Sequence, residues 1–118
     1  MQLIINTSKI PKKLKIGGRV FDIEYPYYFT EACGLCGQSN HQMAKILLVG
    51  KDFSGIDYPK EEIFETLIHE VLHCICHIYN GEEQLTEQQI CGLAHGIYQV
   101  LVDNFEEKKG PRKKSKKS

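Results

Sequence analysis

Apolar residues recur along the middle of this chain with a helical period. Over residues 60–79 they fall at Phe64, Ile68, Val71, Ile75 and Ile78, the spacing of a buried seam. Asp57 and Pro59 supply a start signal, Glu61 and Glu62 suit the first turn, and Asn80-Gly81 supply a stop. A second helical pattern runs over residues 87–105. Thr86 is its expected N-cap, and Ile90, Leu93, Ala94, Ile97, Val100 and Leu101 form its expected apolar face. Nearer the N-terminus the period changes to two. Residues 12–16 and 19–25 flank Gly17-Gly18, which predicts a hairpin with a tight two-residue turn. Phe21, Ile23 and Tyr25 alternate with Asp22 and Glu24, one buried face and one wet. Pro26 is expected to end that strand or leave it at an edge. Residues 43–49 predict an edge strand, with Ile46 and Leu48 on one face and Leu47 and Val49 on the other. A turn at Ser39-Asn40-His41 should join it to an antiparallel neighbour. The expected class is α+β: a small, mostly antiparallel sheet followed by two helices.

Composition narrows the class. The 118 residues are 42% apolar and 25% charged, the balance of a globular chain, with no apolar run long enough to span a membrane. The first residues turn polar too soon for a signal peptide. Five cysteines at irregular spacing make no disulfide framework, so a reducing cytoplasm is expected. The formal charge of zero hides an asymmetry. Lys108, Lys109, Arg112, Lys113, Lys114, Lys116 and Lys117 crowd the C-terminus without an acid. The preceding residues therefore hold eight bases against fifteen acids, a charge of −7. One domain over residues 1–107 and a disordered basic tail over 108–118 are expected. The tail would solubilise the chain or make weak contact with nucleic acid. Internal repeats, a Gly-rich phosphate loop and a serine-nucleophile motif are all missing.

The first helical stretch carries His69-Glu70-Val71-Leu72-His73. Histidines four apart on a helix lie one turn apart on one face and can share one metal ion. A glutamate beside the first can exchange protons with a water there, the H-E-x-x-H logic of zinc hydrolases. At 100° per residue, His69 and His73 lie roughly 140° and 180° from Phe64, and Glu70 roughly 240°, all off the expected seam. A catalytic zinc takes three protein ligands. Glu87 is the favoured third, because it falls on the side of the second helix shared by Cys91, Ala94 and Tyr98. Glu82, Glu83, His77, His95 and His41 are the alternatives. Cys33-x-x-Cys36 invites a metal or redox reading but lacks a second cysteine pair at matching spacing; packing is its simpler role.

Several short stretches extend the motif. Lys15-Ile16-Gly17-Gly18, a strand ending near Tyr25, Cys36-Gly37, Ile46-Leu47-Leu48, Thr66-Leu67-Ile68 before the motif, and Val100-Leu101-Val102-Asp103-Asn104 occur in that order. Over roughly residues 12–105 the chain resembles small phage- and prophage-encoded zincin-like metallopeptidases, related to the ImmA/IrrE-like group. The resemblance implies a minimal zincin fold, with His69 and His73 as zinc ligands, Glu70 as general base and a glutamate, best matched by Glu87, from the following helix. Many such proteins carry an acid four residues after that glutamate; this chain has Cys91 there. The implied activity is hydrolysis of peptide bonds in a host or phage regulatory protein, in the host cytoplasm. A substrate strand would add to the edge strand, and His95, Tyr79 or Tyr98 would assist the oxyanion. The competing expectations are a zinc-stabilised binding protein without activity and a SprT-like protease anchored to DNA by the basic tail.

Overall fold

The computed structural model describes residues 5–28, 36–52, 54–80 and 85–106. The basic tail, Cys33, Glu82 and Glu83 lie outside them. Strands β1 (Lys13–Ile16) and β2 (Arg19–Tyr27) form the expected hairpin. Gly17 and Gly18 take φ of 59° and 83°, the left-handed pair whose twist matches the flanking strands. A Cβ on Gly17 would come within 2.6 Å of Ile78, so the turn also needs glycine to sit against the helix behind it.

Two further strands, β3 (Gly37–Asn40) and β4 (Lys45–Val49), complete a sheet of order β1-β2-β4-β3. β4 runs parallel to β2 and antiparallel to β3, so the sheet is mixed, with two of its three pairings antiparallel. This corrects the expected place of residues 43–49. Their strand begins at Lys45 and lies inside the sheet. Ile46, Leu48 and Val49 are buried and Leu47 is half-buried, the apolar run of a strand with a neighbour on either side and α1 over one face. The edge is β3, whose sequence Gly-Gln-Ser-Asn is polar. The turn moves to residues 41–44, where the Asn40 side chain accepts a hydrogen bond from the Met43 amide at 3.1 Å. Pro26 lies one residue before the end of β2, beyond Asp22, the last residue that β1 pairs, and where the register to β4 shifts between Glu24 and Tyr27, so no ladder donor is required.

Helix α1 (Lys60–Asn80) packs on the sheet, and α2 (Glu87–Phe105) packs on α1. The core joins Ile16, Phe21, Ile23, Ile46 and Leu48 of the sheet side to Ile63, Leu67 and Cys74 of α1. The most deeply buried line of α1 is thus Ile63, Leu67, Glu70 and Cys74, about a quarter turn from the expected seam of Phe64, Ile68 and Ile75. The cause is that α1 is covered twice, by the sheet and by α2. Its apolar stripe averages the two directions, and Phe64 belongs to the second, facing Tyr98 of α2 at 6.3 Å between centroids. Helix α2 has one covered side only. Ile90, Ala94 and Tyr98 are buried, while Leu93, Ile97 and Val100 stand in solvent, narrowing its expected apolar face. Its far end is tied to the N-terminal segment, with the Ile5 amide donating to the Phe105 carbonyl and the Thr7 hydroxyl to Glu106 at 2.7 Å. Among the described residues no helix is long and apolar enough to cross a membrane.

Candidate metal centre

Local chemistry at the start of α2 decides where Glu87 points. Thr86 caps the helix: its hydroxyl accepts from the Gln89 amide at 3.0 Å, and the Gln89 side chain accepts from the Thr86 amide at 2.9 Å. With the cap complete, the Glu87 carboxylate is not needed at the helix end and turns towards α1. His69 and His73, one turn apart and mostly enclosed, turn towards it. Glu87 Oε2 lies 2.8 Å from His69 Nε2, Glu87 Oε1 lies 3.3 Å from His73 Nε2, and the two Nε2 atoms are 3.1 Å apart.

Cys91 follows Glu87 by one turn. Its Sγ is 3.7 Å from His69 Nδ1, the nitrogen turned away from His73, and 3.9 Å from Glu87 Oε2. His69, Glu87 and Cys91 form a group that could hold a metal ion. No protein-family model, curated protein or solved structure matches the chain.

Glu70 sits differently from its expected place beside the histidines on an open face. It is 7% exposed and lies on the sheet side of α1, between Leu67 and Cys74. Burial pushes its carboxyl above the usual range; His69, His73 and a hydrogen bond with the Ser39 side chain pull the other way without cancelling that effect. Its carboxylate still reaches the surface of two adjoining hollows of about 480 and 390 Å³, which share Gly37, His69, Glu70 and Glu87 in their walls. β3 forms the opposite wall. Its approach is close because residue 37 is glycine: a Cβ there would stand 2.8 Å from Thr66 and 3.4 Å from Glu70 Cγ.

The other candidates are placed elsewhere. His95 pairs with Glu65, Nδ1 to Oε2 at 3.2 Å. His77 stacks on His41 at 4.3 Å, with ring planes 13° apart. As for the expected oxyanion donors, Tyr79 stands 68% exposed, and Tyr98 is buried and hydrogen bonds with Thr7. Neither they nor His95 line the hollows. Ser39 was expected only in a turn, and no role was expected of Glu65 or of the Cys91 thiol. Only Cys91 left a sequence signal, one helical turn beyond Glu87.

Proposed function

We propose that this protein is a zinc metallopeptidase, with His69, His73 and Glu87 as zinc ligands and Glu70 as general base. The observation that carries the proposal is the triangle of 2.8, 3.1 and 3.3 Å between donor atoms brought from two helices. Zinc bonds of about 2.0–2.1 Å in a tetrahedron put neighbouring ligand atoms about 3.3 Å apart, close to these separations. A single proton can serve one of the three contacts; a cation faces all three lone pairs together. Imidazole and carboxylate are the donors that zinc hydrolases use while keeping one position open.

Zinc held there would polarise a peptide carbonyl and acidify a water beside it. The chain's own residues carry the rest. Glu70 takes the proton from the attacking water and gives it to the leaving amine, and its raised proton affinity suits that return step. Ser39 holds the carboxylate against β3. The free edge of β3 lies where an extended substrate would add as a further strand, a role that sequence analysis gave to residues 43–49. Cys36, Cys76 and Cys91 are free thiols, in keeping with a cytoplasmic protein acting on an intracellular substrate.

The test compares the normal protein with Glu70→Gln. Both should contain about one zinc per chain by elemental analysis. In cells, the variant should lose at least about 100-fold of the proteolytic fragments that the normal protein produces. If Glu70→Gln produces the same fragments or the same phenotype, the protein acts by binding and the hydrolytic reading fails.

A further inference from the structure

The groove does not stop at the candidate metal centre. β3 and α1 run side by side from Gly37 beside Thr66 and Glu70 to the far end, where His41 stacks on His77. His41 and His77 line the same hollow as His69, Glu70, His73 and Glu87. Arg19 braces this end without lining the hollow. Its guanidinium donates to the His41 and Gln42 carbonyls, both at 2.6 Å, and fixes the turn that carries His41.

No carboxylate faces this end among the described residues. His69 and His73 face Glu87 and His95 faces Glu65, but no carboxylate pairs with His41, His77 or Arg19. The two acids that line this hollow are already engaged, Glu87 by the histidine pair and Glu70 by Ser39. Two parallel half-buried imidazoles could serve packing alone, yet a phenyl ring would pack as well and has no hydrogen-bond donor to offer. In a body whose formal charge is −7 outside its tail, two imidazoles with no carboxylate partner among the described residues are a place for an anion.

We propose that His41 and His77, the first on a turn that Arg19 braces, form a subsite for a carboxylate of a peptide lying along β3. The site would take either an Asp or Glu side chain or a chain-terminal carboxylate. Seven helical residues, about 10 Å, separate Glu70 from His77, and an extended peptide advances about 3.3 Å per residue. The carboxylate therefore sits about three residues from the bond presented to Glu70. Calling that peptide a substrate rests on the metallopeptidase reading; its binding does not.

The experiment follows the ring resonances of His41 and His77 in the zinc-loaded full chain by NMR. Three blocked or unblocked tetrapeptides are titrated in: one with a central Glu, the same peptide with Gln, and a Gln peptide with a free C-terminal carboxylate. At least one carboxylate peptide should shift both rings and bind at least about fivefold more tightly than the blocked Gln peptide. Preference for the central Glu identifies a side-chain subsite, and preference for the free end identifies a chain-end subsite. His41→Phe keeps a ring stacked on His77 and removes the nitrogens, so it should keep the fold and lose the preference. Equal affinities for all three peptides, no ring shifts, or an unchanged preference in His41→Phe overturns the subsite. The Glu70→Gln protein should show the same shifts as the normal one, so failure of the hydrolytic reading would leave this result in place.

Discussion

Glu70 occupies a position where a leucine would serve folding better. Its neighbours along the buried line of α1 are Ile63, Leu67 and Cys74, and it is 7% exposed. Burying a carboxylate there is unfavourable, and Ser39 offsets only part of that. Under the proposed function, that cost is the cost of a general base. The consequence can be measured: Glu70→Gln should stabilise the metal-free protein by about 0.5–2 kcal/mol, since it removes the charge and keeps a group that bonds Ser39. A lower melting temperature for the variant would show that the carboxylate is structural. Glu87 makes the opposite case. Its side chain is 67% exposed and its helix is capped without it. Glu87→Gln should therefore leave the melting temperature of the metal-free protein nearly unchanged, while zinc affinity falls at least about tenfold. Unchanged zinc affinity would move the third ligand to another residue.

Among the elements, two small features aim the site. The Thr86–Gln89 capping box fixes where α2 begins, and so which residue faces His69. Thr86→Ala should cost about 1 kcal/mol by thermal or denaturant unfolding. The other is Gly37, which lets β3 approach Glu70. Gly37→Ala must move Thr66 or β3, so it should lower activity more than stability; an equal loss of both would assign Gly37 to folding alone. These elements were legible in the sequence to different degrees. The hairpin, both helices and the Thr86 cap follow from local patterns: Gly-Gly between alternating runs, a period near 3.6, a threonine before the last helix. The position of β4 does not. Whether residues 45–49 lie inside the sheet or at its edge depends on the parallel pairing with β2, a contact between distant segments that no local period encodes. The same limit applies to α1. A helix covered on two sides shows one broad apolar stripe, so periodicity set the histidine pair off that stripe, where α2 in fact mostly encloses it, and set Glu70 beside the pair rather than towards the sheet. Cys91 and Ser39 were missed because each acquires its role only when a second element is packed against it.

Across the whole molecule, the candidate metal centre bridges two bodies of unequal firmness. The sheet and α1 share the core of Phe21, Ile46, Leu48, Ile63 and Leu67. Helix α2 contributes Ile90, Ala94 and Tyr98 to its seam with α1 and leaves Leu93, Ile97 and Val100 in solvent. Its C-terminal end is tied to Ile5 and Thr7, whereas its first turns are held by α1 and by the Glu87 contacts with His69 and His73. Opening those first turns exposes much less apolar surface than unfolding the sheet, so it is the cheaper fluctuation. It also separates Glu87 from the histidines. Zinc bound across the gap must leave before the turns open, and at free zinc 100 times its Kd this raises the opening free energy by about 2.7 kcal/mol. Amides in the first three turns of α2 should then exchange with deuterium about 100-fold more slowly in zinc-loaded protein than in chelator-treated protein. Those β1–β2 amides that exchange by local fluctuation should change little, because that hairpin neither touches the site nor moves with α2. Hydrogen exchange followed peptide by peptide separates the outcomes. Slowing confined to the start of α2 and the His69–His73 turn supports a metal clamp between the helices. Equal slowing everywhere would mean that α2 opens only with the whole fold. No slowing at α2, with zinc bound, would place the metal on α1 alone and remove Glu87 from its ligands.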